Sequence, residues 1–489
     1  SVFLVYSLDL FHTQNSRKTN FSQATSEYVT SMNVVCEDSE SLENGVLNVD
    51  GFVQLWRLRS LRLTGCKLVH WPAKVLSGLR DLRNLTIRSL NGRKGKYSLE
   101  LESNAFDSVP QIEKIDLSWN NIWQIPEHLF CPLSNLLTLN ISWNMLKDID
   151  ELGFRDVVEK HPRNIRLQES TSSPFSCSLD VQSLDVSNNH ISLLPAYGFS
   201  SLKRLRVLNL SSNAISIVAD EALHGLRSLE TFDMSGNRIV ALPTEMFRDA
   251  AKSLKELRLQ NNSISVLTPG LVADMNQLVA LDLSRNALTS SWLNSGTFSG
   301  LIRLVLLNLS HNRISRLDPA LFKDLYTLQI LNLQYNEIET IPADTFAPMS
   351  NLHTLDLAFN RLTYLDAYSL NGLFALSLLS LDSNQLEGIH PDAFRNCSSI
   401  LYGLRMIGNE ITNVTVEDFA ELPALQILNL ARNRIEAVED GAFSANPELQ
   451  AIRFDSNLLQ DMSGIFASAP GLLWLNMSDN MIMQFDYSY

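Results

Sequence analysis

The sequence predicts an α/β solenoid. The expected shape is a curved stack of repeats, with a parallel β-sheet on the concave face and short helices or loops on the convex face. Three observations predict it. The frame L-x-x-L-x-L-x-x-N-x-L recurs along the chain. Its Asn falls at fifteen positions, from Asn120 to Asn480, mostly 24 residues apart. An aromatic residue stands six positions before most of these frames, with an apolar residue three before.

Each part of the frame has a physical reason. In Leu205-x-x-Leu208-x-Leu210-x-x-Asn213-x-Ile215, the L-x-L core has the period of two that turns both Leu to one side of a strand. Strands of successive repeats then pair in parallel, one step of about 4.8 Å per repeat. An Asn side chain both donates and accepts, so it can satisfy backbone groups in the turn that leaves the strand. Cys66 fills the same slot in Leu58-x-x-Leu61-x-Leu63-x-x-Cys66, and a degenerate copy follows at Leu82-x-x-Leu85-x-Ile87. Phe130, Phe199, Phe298, Phe322, Phe346 and Phe419 should form an aromatic spine behind the sheet. Stacking buries what no single repeat buries alone.

The organisation expected is a cap region over 1–50 and about 17 repeats over 51–489. The step of 45 between Asn144 and Asn189 marks an insertion at about 147–180, and Glu169–Pro174 within it is Ser-rich. The start, Ser1–Phe11, reads as a signal-sequence remnant, a fusion remnant or the first ordered residues. The pattern is still running at Tyr489, which suggests a fragment of a longer chain.

Composition excludes several classes. Hydrophobic residues make up 45% of the 489, so the chain is foldable rather than disordered. The formal charge is −14. With that balance and no basic cluster, the chain reads as a poor nucleic-acid binder and as repelled by an anionic membrane surface. No apolar run reaches the ~18 residues of a membrane span. Walker-type G-x-x-x-x-G-K-[ST], H-E-x-x-H, C-x-x-C and G-x-S-x-G are absent, and the nine His have no metal spacing. No enzyme activity, metal or cofactor is expected.

The frame resembles that of the leucine-rich repeat family, over roughly residues 50–489. The 24-residue step with F-x-x-L-x-x-L ahead of the strand is similar to the animal extracellular class. Phe130–Pro132, Ser290–Leu304, Phe394–Ser398, Leu472–Ser478 and Phe485–Tyr487 resemble stretches of the long insect Toll receptors. The resemblance implies the ectodomain of a single-span receptor of the plasma membrane, acting in immunity or development. It also implies a cysteine-knot ligand of the Spätzle type or contact with another cell-surface receptor, with signalling by ectodomain association and a homodimer as one outcome. The sequence departs from the pattern in having no cysteine before Cys36 and no C-terminal cysteine-rich cap. It also carries neither the span nor the signalling domain, so signalling is implied by the resemblance alone. The rival reading is a homophilic or heterophilic adhesion or matrix protein of the same fold, without signalling.

Five Cys allow at most two internal disulfides. Cys131 with Cys177 would tie down the insertion. Cys36 with Cys66 would staple the N-terminal edge, unless Cys66 fills its ladder slot as a reduced thiol. Cys397 stands where other repeats have Leu and reads as a small buried hydrophobe. Nine sequons, at Asn20, Asn84, Asn140, Asn209, Asn261, Asn308, Asn396, Asn413 and Asn476, favour the secretory pathway. Asn140, Asn209, Asn308 and Asn476 lie between the two Leu of L-x-L, so glycans there would crowd the concave face.

Two groups suggest binding. Asp116, Asp185, Asp233, Asp282 and Asp356 share the outward L-x-L slot, as a cation or basic-ligand column or as a solvated strand face. Trp119 and Trp143, and Tyr335 and Phe359, immediately precede the ladder Asn in neighbouring repeats. Exposed Trp and Tyr are enriched at binding hot spots. Their alternative is to pack on one another at the strand edge.

Overall fold

A computed structural model describes residues 2–4, 29–35, 52–53, 55–66, 68–89, 97–152, 179–397, 400–461, 465 and 468–483. It falls into two compact units, Ser1–Ile239 with Glu245–Ser253, and Val240–Thr244 with Leu254–Tyr489. Each is a stack of parallel strands.

In the first unit the strand Ser31–Val35 pairs with Ser60–Cys66, which pairs with Asn84–Ser89 and then Lys114–Asp116. In the second, the three-residue strands from Glu256–Arg258 to Trp474–Asn476 pair in chain order, while the two-residue strands pair separately, Tyr364–Leu365 with Gly388–Ile389 and Asn413–Val414 with Ala437–Val438. Most are three residues long, too short to persist alone. They exist because nearly every one places a central apolar residue, such as Leu208, Phe232 or Leu331, wholly inside, a burial worth roughly 1.5–3 kcal/mol per side chain.

The insertion leaves the sheet intact. Thr138–Asn140 pairs directly with Ser183–Asp185, in register Leu139 to Leu184. Ser31–Val35, within the expected cap region, pairs in parallel with Ser60–Cys66 and so joins the sheet.

Behind the strands, where short helices or loops are expected, the described chain runs mostly in successive turns. The described helical elements are two short 3-10 turns, Asp150–Leu152 and Ser290–Trp292, and the helical residues 465 and 468. The F-x-x-L-x-x-L run is held by bonds of i to i+3 type: Leu202 N–H donates to Phe199 O at 2.9 Å, and Leu205 N–H to Leu202 O at 3.0 Å. At three residues per turn, side chains spaced by three share a face. Phe, Leu and Leu therefore all point inward without a full helix. The Phe spine forms as expected: all six named Phe are buried, and Phe322 and Phe346 stack at 6.0 Å.

The Asn ladder ties each repeat to the one before. Asn336 Nδ2 donates to Leu333 O in its own turn at 3.0 Å and to Leu309 O of the preceding repeat at 2.9 Å. Its Oδ1 accepts Ile314 N–H of that repeat at 3.1 Å. Asn144 does the same for Leu117 O and the Ile122 and Asn120 amides.

Candidate functional site

The ladder creates a second column beside it. Folding the chain around Asn144 forces the preceding residue, Trp143, to φ 56°. Trp119, Tyr335 and Phe359 sit at φ 66°, 54° and 55° for the same reason. All fifteen residues that precede a ladder Asn have positive φ, Gly236 and Gly408 among them. Most N–H groups of this column reach the next repeat, as Trp143 to Ser187 O at 3.0 Å and Tyr335 to Ala358 O at 2.9 Å. Side chains at this position project from identical backbone geometry at strand spacing, so flat rings fall into register.

Aromatic stacks result. Trp119 and Trp143 lie 4.1 Å apart and 9° from parallel. Tyr335 and Phe359 lie 4.2 Å apart at 6°, and His311 extends that stack beneath Tyr335 at 4.2 Å and 11°. The rings pack on one another, yet Trp143, Tyr335 and Phe359 remain 45%, 41% and 43% exposed. His311 was missed from the sequence, though it also precedes a ladder residue, Asn312. Burial and the nearby Arg285 charge hold its imidazole below the usual pKa.

The outward Asp column acts locally. Oδ1 of Asp116, Asp185, Asp233, Asp282 and Asp356 accepts the N–H two residues on, at 2.8–3.0 Å. These carboxylates cap the turn that leaves the strand rather than converge on a shared point. Burial pushes the Asp356 carboxyl above the usual range, against the pull of the Ala358 N–H. Arg88 clasps Asp116 through Nε at 3.0 Å and Nη2 at 2.6 Å.

Cys66 and Cys131 are each disulfide-bonded. Cys36 and Cys177, the partners expected for them, lie outside the described residues. Cys397 is a half-buried thiol. Among the sequons, Asn261, Asn396 and Asn413 are exposed, while Asn84, Asn140, Asn209, Asn308 and Asn476 are half-buried on strands, and Asn20 lies outside the described residues.

The expectation of no basic cluster does not survive a local count. Residues 51–96 hold eleven Lys and Arg against one Asp, a net of +10 inside a chain of −14. The whole-chain balance averages this away; a count repeat by repeat reveals it.

The leucine rich repeat model matches residues 180–239, 235–288, 252–314, 302–362, 350–411, 374–435 and 423–482, together more than half of the chain. A BspA type leucine rich repeat region matches 83–171. The chain belongs to the leucine-rich repeat family. It is 37% identical over 177 residues to Toll-like receptor 7 of Drosophila melanogaster, 36% of this chain and 11% of that one. It is 28% identical over 167 residues to leucine-rich repeat-containing G-protein coupled receptor 5 of Rattus norvegicus, covering 34% and 15%. The chain thus matches only a small part of each relative's length. Its fold is similar to that in the structure of the Drosophila Toll–Spatzle complex, with a TM-score of 0.62 at 18% identity, over 91% of this chain and 65% of that one. The Toll-type resemblance read from the sequence holds.

Proposed function

We propose that the chain is the partner-binding portion of a Toll-type receptor ectodomain on the extracellular side of the plasma membrane. It acts by protein–protein recognition rather than by catalysis, and a bound partner draws ectodomains together. The likeness to Toll-like receptor 7 over 177 residues supports the receptor class. The observation that carries a binding role is the half-exposed stack of Trp119 and Trp143. Rings locked by one another and by a fixed backbone lose little entropy on binding, the condition that makes aromatic residues strong anchors. The partner is a cysteine-knot protein of the Spätzle type, or another surface receptor.

Light scattering of the secreted, glycosylated chain tests this, alone and with cysteine-knot dimers. A rise in mass that needs the ligand, and that Trp119→Ala with Trp143→Ala abolishes, is the expected result. Self-association without ligand transfers the chain to the adhesion class. No association with any candidate removes the cysteine-knot reading.

A further inference from the structure

Seven of the eleven cations of residues 51–96, among them Arg57, Arg59, Arg62, Arg80 and Arg83, lie in the described residues. Arg59 and Arg83 each stand immediately before a strand, and these strands pair in register from Ser60 to Asn84. Arg83 N–H donates to Arg59 O at 2.8 Å, so the two side chains leave the same sheet edge one strand apart. Arg62 points outward from the strand Ser60–Cys66, between buried Leu61 and Leu63, and is exposed. In the turns that lead into these strands, Arg80 holds the place that Trp56 holds one repeat earlier. Trp56 is 41% exposed, and the Arg57 guanidinium lies 4.6 Å above its ring.

These charges are mostly unspent. Arg83 Nη1 donates to Gln111 O at 3.3 Å, and its one ion pair among the described residues is a loose contact with Glu113 at 3.5 Å. Arg59, Arg62 and Arg80 form no ion pair among the described residues, although carboxylates outnumber cations elsewhere in the chain. A row of like charges on one edge, with Arg59, Arg62 and Arg80 in no ion pair among the described residues, costs self-repulsion unless something opposite covers it.

We propose that the edge formed by Trp56, Arg57, Arg59, Arg62, Arg80 and Arg83 binds a sulfated polysaccharide chain. Guanidinium forks at strand spacing match the paired oxygens of successive sulfates. The exposed indole offers a flat apolar surface to the face of a sugar ring. The compartment selects the polyanion: Cys66, at the end of the strand that carries Arg62, is disulfide-bonded. That places this surface in an oxidising environment, and sulfated polysaccharides are long polyanions of the outside of the cell. The likeness to Toll receptors does not carry this inference, and it stands or falls separately from the cysteine-knot partner.

The test is direct binding of the intact secreted chain to heparin of defined length, with salt titration. The expected result is binding at about 0.15 M salt that weakens steeply as salt rises. Substituting Arg59, Arg62 and Arg80 together by Gln lowers affinity about tenfold or more, since each lost contact removes released counterions. Those side chains are outside the core, so the thermal midpoint of the triple variant should match the parent. A control triple, Arg313→Gln, Arg316→Gln and Arg432→Gln, removes the same charge elsewhere and leaves binding within about twofold. Three outcomes overturn the proposal: no binding at physiological salt, equal loss in both triples, or binding to a single-stranded oligonucleotide of equal charge as tight as to heparin.

Discussion

The indoles of Trp119 and Trp143 stack 4.1 Å apart, 9° from parallel, although 24 residues separate them in the chain. Neither ring is wedged by the core. Their register comes from two backbones at φ 66° and 56°, each fixed by the ladder Asn that follows.

Such a stack couples the two residues energetically. Aromatic pairs contribute about 0.5–1.5 kcal/mol beyond their burial. A double-mutant cycle with Trp119→Ala and Trp143→Ala, read by urea unfolding, should give a coupling energy of about 1 kcal/mol. A coupling indistinguishable from zero would mean that the rings merely lie side by side. Trp143 could then be replaced without loosening Trp119, and the rigid-anchor argument would fail.

The ladder itself was legible because its chemistry is demanding. Only Asn both donates to two carbonyls and accepts an amide from one short side chain, so the residue recurs and the eye finds it. The column beside it was legible only where it happened to be aromatic. Its requirement is conformational, and Trp143, Ser212, Gly236, Arg285 and Asp479 all meet it, because tertiary bonds impose the backbone whatever the side chain. The turns behind the sheet, expected as short helices or loops, were legible in outline, and spacing by three suits either. The basic edge was hidden by arithmetic over the whole chain.

Imposed positive φ has a cost. A residue with a Cβ in the left-handed region is disfavoured by about 1–2 kcal/mol. Arg432 sits there at φ 56° and is exposed, while Gly408 occupies the same place one repeat earlier. Arg432→Gly should therefore stabilise the chain by about 0.5–1 kcal/mol, the relief being partly offset by the greater freedom of Gly when unfolded. Thermal and urea unfolding would show it. A destabilised variant would indicate that the Arg432 side chain makes up the strain through contacts along the column.

The strand-face sequons allow a comparison in which the glycan cancels. Asn140 Oδ1 accepts the Ser142 N–H at 2.9 Å, closing the turn that leads to Trp143. Asn140→Gln and Ser142→Ala both destroy the same sequon. Only the first also loses this bond, because the longer Gln cannot close a two-residue ring in the same geometry. Asn140→Gln should be less stable than Ser142→Ala by about 1 kcal/mol, the usual net worth of a hydrogen bond. Equal stability would show the cap to be dispensable.

Protonation offers the sharpest sign test. Burial raises the Asp418 pKa above its ordinary 3.8, against the hydrogen bonds from Thr415, with Glu417 and Glu439 adding repulsion. Its Oδ2 accepts the Thr415 N–H at 2.6 Å. A carboxyl whose folded pKa is raised penalises the fold wherever it is charged. The penalty is full at neutral pH, shrinks as pH falls through the folded pKa, and vanishes below 3.8, where both folded and unfolded forms are protonated. Asp418→Asn keeps an acceptor for Thr415 without the charge. It should raise the urea midpoint at pH 7, and the gain should disappear as the pH approaches 4. If the variant is instead less stable at pH 7 and draws level in acid, the charge-assisted bond to Thr415 outweighs desolvation. The folded pKa of Asp418 then lies below 3.8, not above it.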